Sequence, residues 1–213
     1  MKPVETDDLK IHFEMKRCIH ARQCFLGAPK VFDPRRRPWI DGKAATTEQI
    51  VAVIDACPSG ALSYERKDGK DEAKPATNTA RVWENGPVEL RGDFEIEGHG
   101  RATRAMICRC GLTKNPPFCD DSHRGAFEAS GLPGAQDDRD VEMEVAEGAV
   151  DLRAMPDGPV LIKGAVEVID ANGSRVARVE NAGICRCGAS GKKPFCDGTH
   201  RTIGFEKAGT GEA

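Results

Sequence analysis

Nine cysteines, arranged in three groups of three, limit what this 213-residue chain can fold into more than any other feature of its sequence. The groups are Cys18, Cys24 and Cys57, then Cys108, Cys110 and Cys119, and finally Cys185, Cys187 and Cys196. An odd number disfavours a fully paired disulfide framework, and the acidic start of the chain lacks the apolar stretch of a secretion signal. We therefore expect reduced thiols that bind metal ions or iron–sulfur clusters.

The composition leaves little material for a large apolar core. Hydrophobic residues make up 39% of the chain and aromatic residues 5%, beside 23 glycines and 13 prolines. A chain of this kind needs something other than apolar burial to hold it together. A net charge of −3 gives no basic face for nucleic acid, and the apolar runs are too short to cross a bilayer. We expect a soluble, cytoplasmic protein that binds neither nucleic acid nor membranes.

The second and third cysteine groups belong to an internal repeat. Residues 108–123 have the pattern C-x-C, eight residues, C, three residues, H, and residues 185–200 repeat it at an offset of 77 (185 against 108). Upstream, the Gly-Pro-Val at 86–88 returns at 158–160, an offset of 72, and each is followed by a strand-like alternation. Each copy is therefore predicted to form a β-hairpin, then a ligand loop, then a short helix.

The region before the repeat is predicted to be a different, α+β unit covering residues 1–66. Its strands are expected at 9–15 and 61–64, and its helices at 21–27, closed by Gly27, and at 47–56, capped by Thr47. The charged residues 67–85 are predicted to be a linker. Residues 86–213 hold the two repeats, about 86–130 and 141–207, with a further strand expected at 141–145.

Each repeat offers four metal ligands of matching type. They are Cys108, Cys110, Cys119 and His123 in the first copy, and Cys185, Cys187, Cys196 and His200 in the second. Such ligands suit zinc or an iron–sulfur cluster. Cysteines one residue apart splay to opposite sides of an extended segment, which favours one iron of a two-iron cluster, with the Cys–His pair on the other. Asp120 and Asp197, each beside a cysteine ligand, are predicted to cap the turn or to accept hydrogen bonds near the cluster.

The repeats resemble the CDGSH iron–sulfur domain of the mitoNEET type. The residues that match are Cys185-Arg-Cys187 with Cys196-Asp-Gly-Thr-His200, and Cys119-Asp-Asp-Ser-His123 in the first copy. The resemblance implies a 2Fe-2S cluster in each copy, held by three Cys and one His, and a strand-exchanged, intramolecular pseudo-dimer within a monomer. The first copy departs from the family at Asp121, where Gly is usual, and we expect backbone strain there rather than loss of the cluster.

A single histidine ligand has consequences for the chemistry. Imidazole is neutral and titratable, so it raises the potential above that of an all-Cys cluster, in the sense seen for Rieske centres, and couples it to pH. Protonation also weakens the bond to the metal. His123 and His200 are therefore candidate points of proton-coupled electron transfer and of cluster release.

The N-terminal cysteines have the spacing of a ferredoxin cluster motif in which Ala21 replaces the middle cysteine. Cys18, Cys24 and Cys57-Pro58, over about residues 8–65, resemble divergent bacterial single-cluster ferredoxins, which include proteins with 3Fe-4S centres. Three thiolates with one missing corner favour a 3Fe-4S cluster. A 4Fe-4S cluster with another fourth ligand, for which His20 is the candidate, and an empty structural unit are the alternatives.

The predicted function is one-electron transfer through three iron–sulfur centres with redox partner proteins. The sequence shows no nucleophile–base pair, P-loop or dinucleotide fingerprint, so no catalytic residue is predicted. The first alternative is a cluster donor to apo-acceptor proteins, or a redox or pH sensor, and the second is a zinc-bound structural adaptor. The basic run Arg35-Arg-Arg37 is read as a solvated loop, with docking of an acidic partner as the competing hypothesis.

Overall fold

The computed structural model describes residues 2–70, 72–134 and 139–210. The chain divides into two compact units, Met1–Ala73 and Lys74–Ala213. Within the described ranges, no helix combines the length and the apolar character needed to cross a membrane.

The first unit is a three-stranded antiparallel sheet covered by a helix. Its elements are β1 (Val4–Glu5), β2 (Leu9–Phe13), α1 (Gln23–Gly27), α2 (Thr47–Asp55) and β3 (Leu62–Arg66), with a 3₁₀ turn at Met15–Arg17. The strand order is β1-β2-β3. Alternation along β2 and β3 buries one face of the sheet, and Ile50 and Ile54 of α2 are buried in the same core.

Both helices of this unit begin one or two residues away from their predicted starts. Helix α2 is capped by Thr46 rather than Thr47, because the Thr46 hydroxyl accepts from the Gln49 amide at 3.3 Å and the Gln49 side chain accepts from the Thr46 amide at 3.1 Å. Thr47 instead donates to Asp8 at 2.9 Å. Helix α1 starts at Gln23 because His20 and Arg22 have positive φ, which a helix cannot contain.

The second unit is a six-stranded sheet built from both repeats. Its strands are β4 (Thr79–Val82), β5 (Val88–Ile96), β6 (Gly100–Ile107), β7 (Val150–Ala154), β8 (Val160–Ile169) and β9 (Arg175–Ile184). The pairs β5–β6 and β8–β9 are antiparallel hairpins, as predicted for the two copies. Apolar side chains from all six strands share one core.

Strands β4 and β7 pair with both hairpins in a reciprocal way. Strand β4 runs antiparallel to β5 of its own copy and parallel to β8 of the other, with Thr79 opposite Glu167. Strand β7 runs antiparallel to β8 and parallel to β5, with Asp151 opposite Glu95. The Thr79–Glu167 pair maps onto the Asp151–Glu95 pair at the repeat offset of 72 (151 against 79, 167 against 95). The long strands β5 and β8 each contain a bulge at the point where their pairing changes between β4 and β7.

Three sequence predictions are corrected by this unit. The expected linker 67–85 contains β4, whose Ala80 and Val82 are fully buried. Residues 141–145 are not a strand, because their alternating valines face solvent and only isolated hydrogen bonds tie them to Arg178. The predicted ligand helices are reduced to a 3₁₀ turn at Thr199–Arg201 and to plain turns after Cys119, since positive-φ residues interrupt each segment.

Candidate metal centres

The end of a hairpin strand carries the Cys-x-Cys pair in each copy. In the first copy the Cys108 amide donates to Pro117 O and the Cys119 amide donates to Met106 O, both at 2.8 Å, around an isolated bridge between Ile107 and Phe118. The second copy has the equivalent bridge between Ile184 and Phe195. The sheet thus holds the third cysteine beside the first two.

The ligand atoms of each copy form two close pairs. The two Sγ atoms of Cys108 and Cys110 are 3.6 Å apart, and Cys119 Sγ is 3.4 Å from His123 Nδ1. In the second copy these distances are 3.8 Å for Cys185–Cys187 and 3.2 Å for Cys196–His200. Two ligands on one tetrahedral metal ion, with bonds of about 2.3 Å, lie roughly 3.7 Å apart. Each pair is therefore spaced to bind one metal ion.

The two pairs of a copy do not close into one compact set of four. Within the described residues, one group of three candidate ligands has all its atoms within 4.8 Å, and it consists of Cys119, Asp121 and His123. Cys108 and Cys110 lie outside it. The first copy therefore has two neighbouring ligand pairs rather than a single tetrahedron around one ion.

Main-chain amides point at the cysteine sulfurs. The amides of Gly111 and Leu112 donate to Cys108 Sγ at 3.2 Å and to Cys110 Sγ at 3.3 Å, and the Asp121 amide donates to Cys119 Sγ at 3.4 Å. The hydrogen bond from the Cys110 thiol lowers the pKa of Cys108 below that of an ordinary thiol. Burial raises the pKa of Cys119 to about 12, so that thiolate needs a bound cation to form at neutral pH. This donor set fits an anionic metal cluster.

Asp120 and Asp197 join the ligand loop to the histidine turn. Asp197 accepts from the Gly191 amide at 2.8 Å with one oxygen, and from the Thr199 amide and hydroxyl at 3.0 and 2.6 Å with the other. The Thr199 hydroxyl and amide, and then the Gly191 amide, hold the pKa of Asp197 well below its usual range. Asp120 makes the corresponding bonds with the amides of Lys114 and Ser122. Both carboxylates therefore accept from the loops that surround the ligands.

Asp121 marks the main difference between the copies. Its φ is 69°, in the left-handed region, where Gly198 of the second copy has φ 91°. The Asp121 carboxylate lies 3.3 Å from the exposed guanidinium of Arg124. Burial lowers the pKa of His123, and the Asp121 charge acts in the opposite direction. The expected positive φ is present, and the side chain also joins the Cys119–His123 pair.

Sequence reasoning missed two buried arginines, Arg109 and Arg186, each the middle residue of a Cys-x-Cys pair. They are 1% and 2% exposed and are the two largest fully buried side chains. Burial lowers the pKa of Arg109 to about 10, so it remains charged at neutral pH. The available signal was that arginine occupies the middle of the Cys-x-Cys pair in both copies. An arginine buried at such a position needs hydrogen-bond partners, which gives it a structural role.

The N-terminal cysteines come from three separate places in the first unit. Cys18 follows the 3₁₀ turn, Cys24 lies in α1, and Cys57 follows α2. Burial raises the pKa of Cys24, and the nearby Cys57 and Cys18 raise it further. The three thiols are thus neighbours, and Ala21 is exposed in the loop between the first two.

The remaining candidate residues have other contacts. His20 Nδ1 is 4.0 Å from Cys18 Sγ, which leaves it beside the cysteine loop. Arg36 donates to the carbonyls of Lys30 and Val31, at 3.0 and 2.8 Å, so this member of the basic run ties its own loop together. Arg35 pairs with Asp33 at 3.2 Å, and Arg37 bonds to local carbonyls.

Comparison with known proteins gives matches for both parts of the chain. Residues 4–67 match the family model described as a divergent 4Fe-4S mono-cluster, and residues 85–124 and 157–201 match the one described as an iron-binding zinc finger of CDGSH type. Uncharacterized protein YjdI of Escherichia coli strain K12 is 38% identical over 61 residues, which is 29% of this chain and 80% of that relative, and the same values hold for YjdI of Escherichia coli O157:H7. No solved structure matches. The predicted single-cluster domain and tandem CDGSH domains are confirmed at the level of family.

Proposed function

Because this chain belongs to the divergent 4Fe-4S mono-cluster family through its N-terminal domain and carries two CDGSH-type domains behind it, we propose that it is a three-centre electron carrier. The family matches make it an iron–sulfur protein. The proposal adds the number and type of the clusters and the transfer of single electrons between redox partner proteins.

The pairing of the ligand atoms carries this proposal. Each CDGSH copy has a Cys–Cys pair and a Cys–His pair at the spacing of two ligands on one metal ion. Adjacent pairs suit the two irons of a 2Fe-2S cluster, whereas one structural zinc ion would gather all four atoms. The amides directed at the sulfurs favour an anionic cluster as well.

For the N-terminal domain we propose a 3Fe-4S cluster held by Cys18, Cys24 and Cys57. The support is the exposed Ala21 where a ferredoxin has its second cysteine, which leaves one corner of a cubane without a thiolate. The 4Fe-4S cluster named in the family description is the alternative, and it requires a ligand other than cysteine at that corner.

We also propose that the two CDGSH copies form an intramolecular pseudo-dimer in a monomeric chain. The support is the exchange of β4 and β7, each of which pairs with the hairpin of its own copy and of the other copy at equivalent register. Two equivalent units in one chain would place two clusters in a single rigid sheet.

The histidine side of each centre is proposed as the route for electrons and protons. His123 and His200 are partly exposed, whereas Cys108, Cys110, Cys119 and Cys185 are buried. In the second copy, Cys196 and His200 line a surface groove together with Leu161 and Arg201. A partner that docks there would approach the cluster at its least insulated edge.

The same exposure supports a second candidate function, in which clusters are donated to apo-acceptor proteins or respond to pH. An imidazole that solvent reaches can be protonated and leave the metal. Transfer of iron and sulfide to an apo-ferredoxin, slowed by His200→Cys and His123→Cys, would favour this function. Unchanged transfer in both variants would exclude a role for the histidines in it.

The experiment that tests the proposal is the measurement of iron, acid-labile sulfide and zinc per chain after anaerobic purification. One 3Fe-4S and two 2Fe-2S clusters require about 7 iron and 8 sulfide per chain, whereas a 4Fe-4S cluster in the N-terminal domain would give about 8 and 8. Electron paramagnetic resonance distinguishes these two cases. About 4 and 4 would mean that the N-terminal domain carries no cluster. Zinc without sulfide would overturn the redox proposal and favour a structural adaptor.

A further inference from the structure

Each buried arginine ties its Cys-x-Cys pair to two distant segments of the same copy. Arg109 donates to the carbonyls of Trp83 and Gly86, before β5, at 2.6 and 2.9 Å, and to those of Ala129 and Ser130, after the histidine turn, at 3.0 and 3.2 Å. The bonds hold a tail, residues 127–130, against the ligand loop.

Arg186 repeats the arrangement in the second copy. It donates to Met155 and Gly158 at 2.8 and 2.9 Å, and to Lys207 and Ala208 at 3.1 and 2.7 Å. The tail held here is residues 205–208. In both copies the arginine donates to two main-chain carbonyls before the hairpin and to two in the tail. The arginine contacts are therefore a feature of the repeat.

The phenylalanine at the start of each tail lies under the arginine of its own copy. The guanidinium carbon of Arg109 is 5.3 Å from the centre of the Phe127 ring, and that of Arg186 is 5.4 Å from the Phe205 ring. Both distances are in the range of a cation–π contact. Each arginine therefore fixes the position of one aromatic ring.

Those rings contact the opposite copy. A Cβ atom placed on Gly111, directly after Cys110, would lie 2.7 Å from the Phe205 ring, and one placed on Gly188, directly after Cys187, would lie 2.8 Å from the Phe127 ring. Both glycines also have positive φ, of 69° and 77°. At each position glycine is therefore required for two reasons: the positive φ of the turn and the close approach of the ring from the other copy.

The electrostatic contacts cross between the copies as well. The charges of Cys185 in the second copy and Cys110 in the first both act on the Arg109 guanidinium, against the larger effect of burial on its pKa. The two buried arginines and the two half-buried phenylalanines thus lie between the ligand loops of the two copies.

We propose that Phe127 and Phe205 are positioning residues that each close the ligand loop of the other copy, so that each metal centre depends on a side chain from the opposite copy. Phe205 holds the Gly111 turn that supplies amides to Cys108 and Cys110, and Phe127 holds the Gly188 turn of the second copy. This inference rests on the proposed ligands but not on the cluster type, since zinc or iron would be held by the same loops.

The test measures how fast each loop opens in the intact, metal-loaded chain. The protein is exposed to a chelator and iodoacetamide, and trypsin, which cuts after Arg109 and Arg186, yields separate peptides that begin with Cys110 and Cys187. Phe205→Leu should raise alkylation of Cys110 roughly fivefold or more, and Phe127→Leu should do the same for Cys187. The exposed Ile203, two residues before Phe205, provides the control Ile203→Ala, which should alter the alkylation of neither cysteine.

Two outcomes would overturn the proposal. One is alkylation that rises only at the cysteine of the mutated copy, and the other is no change at either peptide. If Phe→Leu unfolds the unit, both peptides react together. Phe205→Met and Phe127→Met, whose unbranched side chains adapt better to the space left by the ring, then have to show the crossed pattern. Because alkylation reports loop opening whichever metal is bound, a zinc result in the stoichiometry experiment leaves this test intact.

Discussion

The Sγ atom of Cys119 lies 3.4 Å from Nδ1 of His123, four residues further along the same turn. Burial lowers the pKa of that imidazole, so the neutral, metal-binding form is favoured. In the proposed centre the pair supplies a titratable ligand and a thiolate, and this combination underlies the first prediction.

Replacing the histidine ligands by cysteine should lower the reduction potential and remove its dependence on pH. A thiolate adds a negative charge where imidazole adds none, so His123→Cys and His200→Cys should each lower the potential of one centre by roughly 0.2 V or more. Protein-film voltammetry between pH 5 and 9 measures both effects. His12→Ala, on β2 of the first unit where His12 contacts Glu65, is the control and should leave the potentials of the two CDGSH centres unchanged.

The same variants should resist loss of metal in acid. A histidine must be neutral to bind, and the pKa of His123 is lowered by burial, so protonation and release in the wild type should occur below the usual pKa of about 6.5. The thiolate of His123→Cys is retained by its metal at that pH. A visible absorption that fades at the same pH in variant and wild type would contradict the prediction.

Loss of a buried arginine should destabilise the second unit severely. Arg109→Met removes donors to four main-chain carbonyls and leaves them without their partner, which should cost about 3 kcal/mol or more of unfolding free energy. Urea unfolding followed by circular dichroism gives the value. The matched control is Arg153→Met, because Arg153 is half exposed and pairs with Glu97 at 3.0 Å on the surface, where ion pairs contribute little.

Asp121→Gly should stabilise the first CDGSH copy. Its φ of 69° is costly for a residue with a side chain, and the paired Arg124 is largely exposed, so about 1 kcal/mol should be gained. Thermal unfolding of the metal-loaded chain measures the change. The reciprocal variant Gly198→Asp should destabilise the second copy by a similar amount, and a stabilising effect of that variant would show that strain is not the dominant factor.

Ala21→Cys should complete the N-terminal centre. A thiolate at the missing position should convert a 3Fe-4S cluster into a 4Fe-4S cluster, adding about 1 iron per chain and abolishing the paramagnetic signal of the oxidised three-iron form. His20→Ala is the companion variant, since His20 lies beside Cys18 and is the alternative ligand. Loss of iron in His20→Ala, with no gain in Ala21→Cys, would favour the 4Fe-4S alternative.

Local patterns predicted the two hairpins and named the candidate ligands, but they did not predict the segments whose structure depends on distant partners. The alternation at 141–145 resembles that of a true strand, yet Val141 and Val145 face solvent because no sheet face receives them. Conversely, β4 lies in a charged stretch that reads as a linker and becomes a strand by pairing with two others. The Thr46 cap was accessible to sequence reasoning, because Gln49 stands three residues later.

The sequence by itself identified the candidate metal ligands, since the Cys-x-Cys pairs and the Cys–His spacing are local and recur at a constant offset. It also determined that two similar hairpins would form, because alternation and turn residues act over a few positions. Only the tertiary structure decided that β4 and β7 each pair with both hairpins and that Arg109 and Arg186 are buried. The physical reason is that strand pairing and the satisfaction of a buried charge depend on groups far apart in the chain, and no local pattern encodes which of them meet.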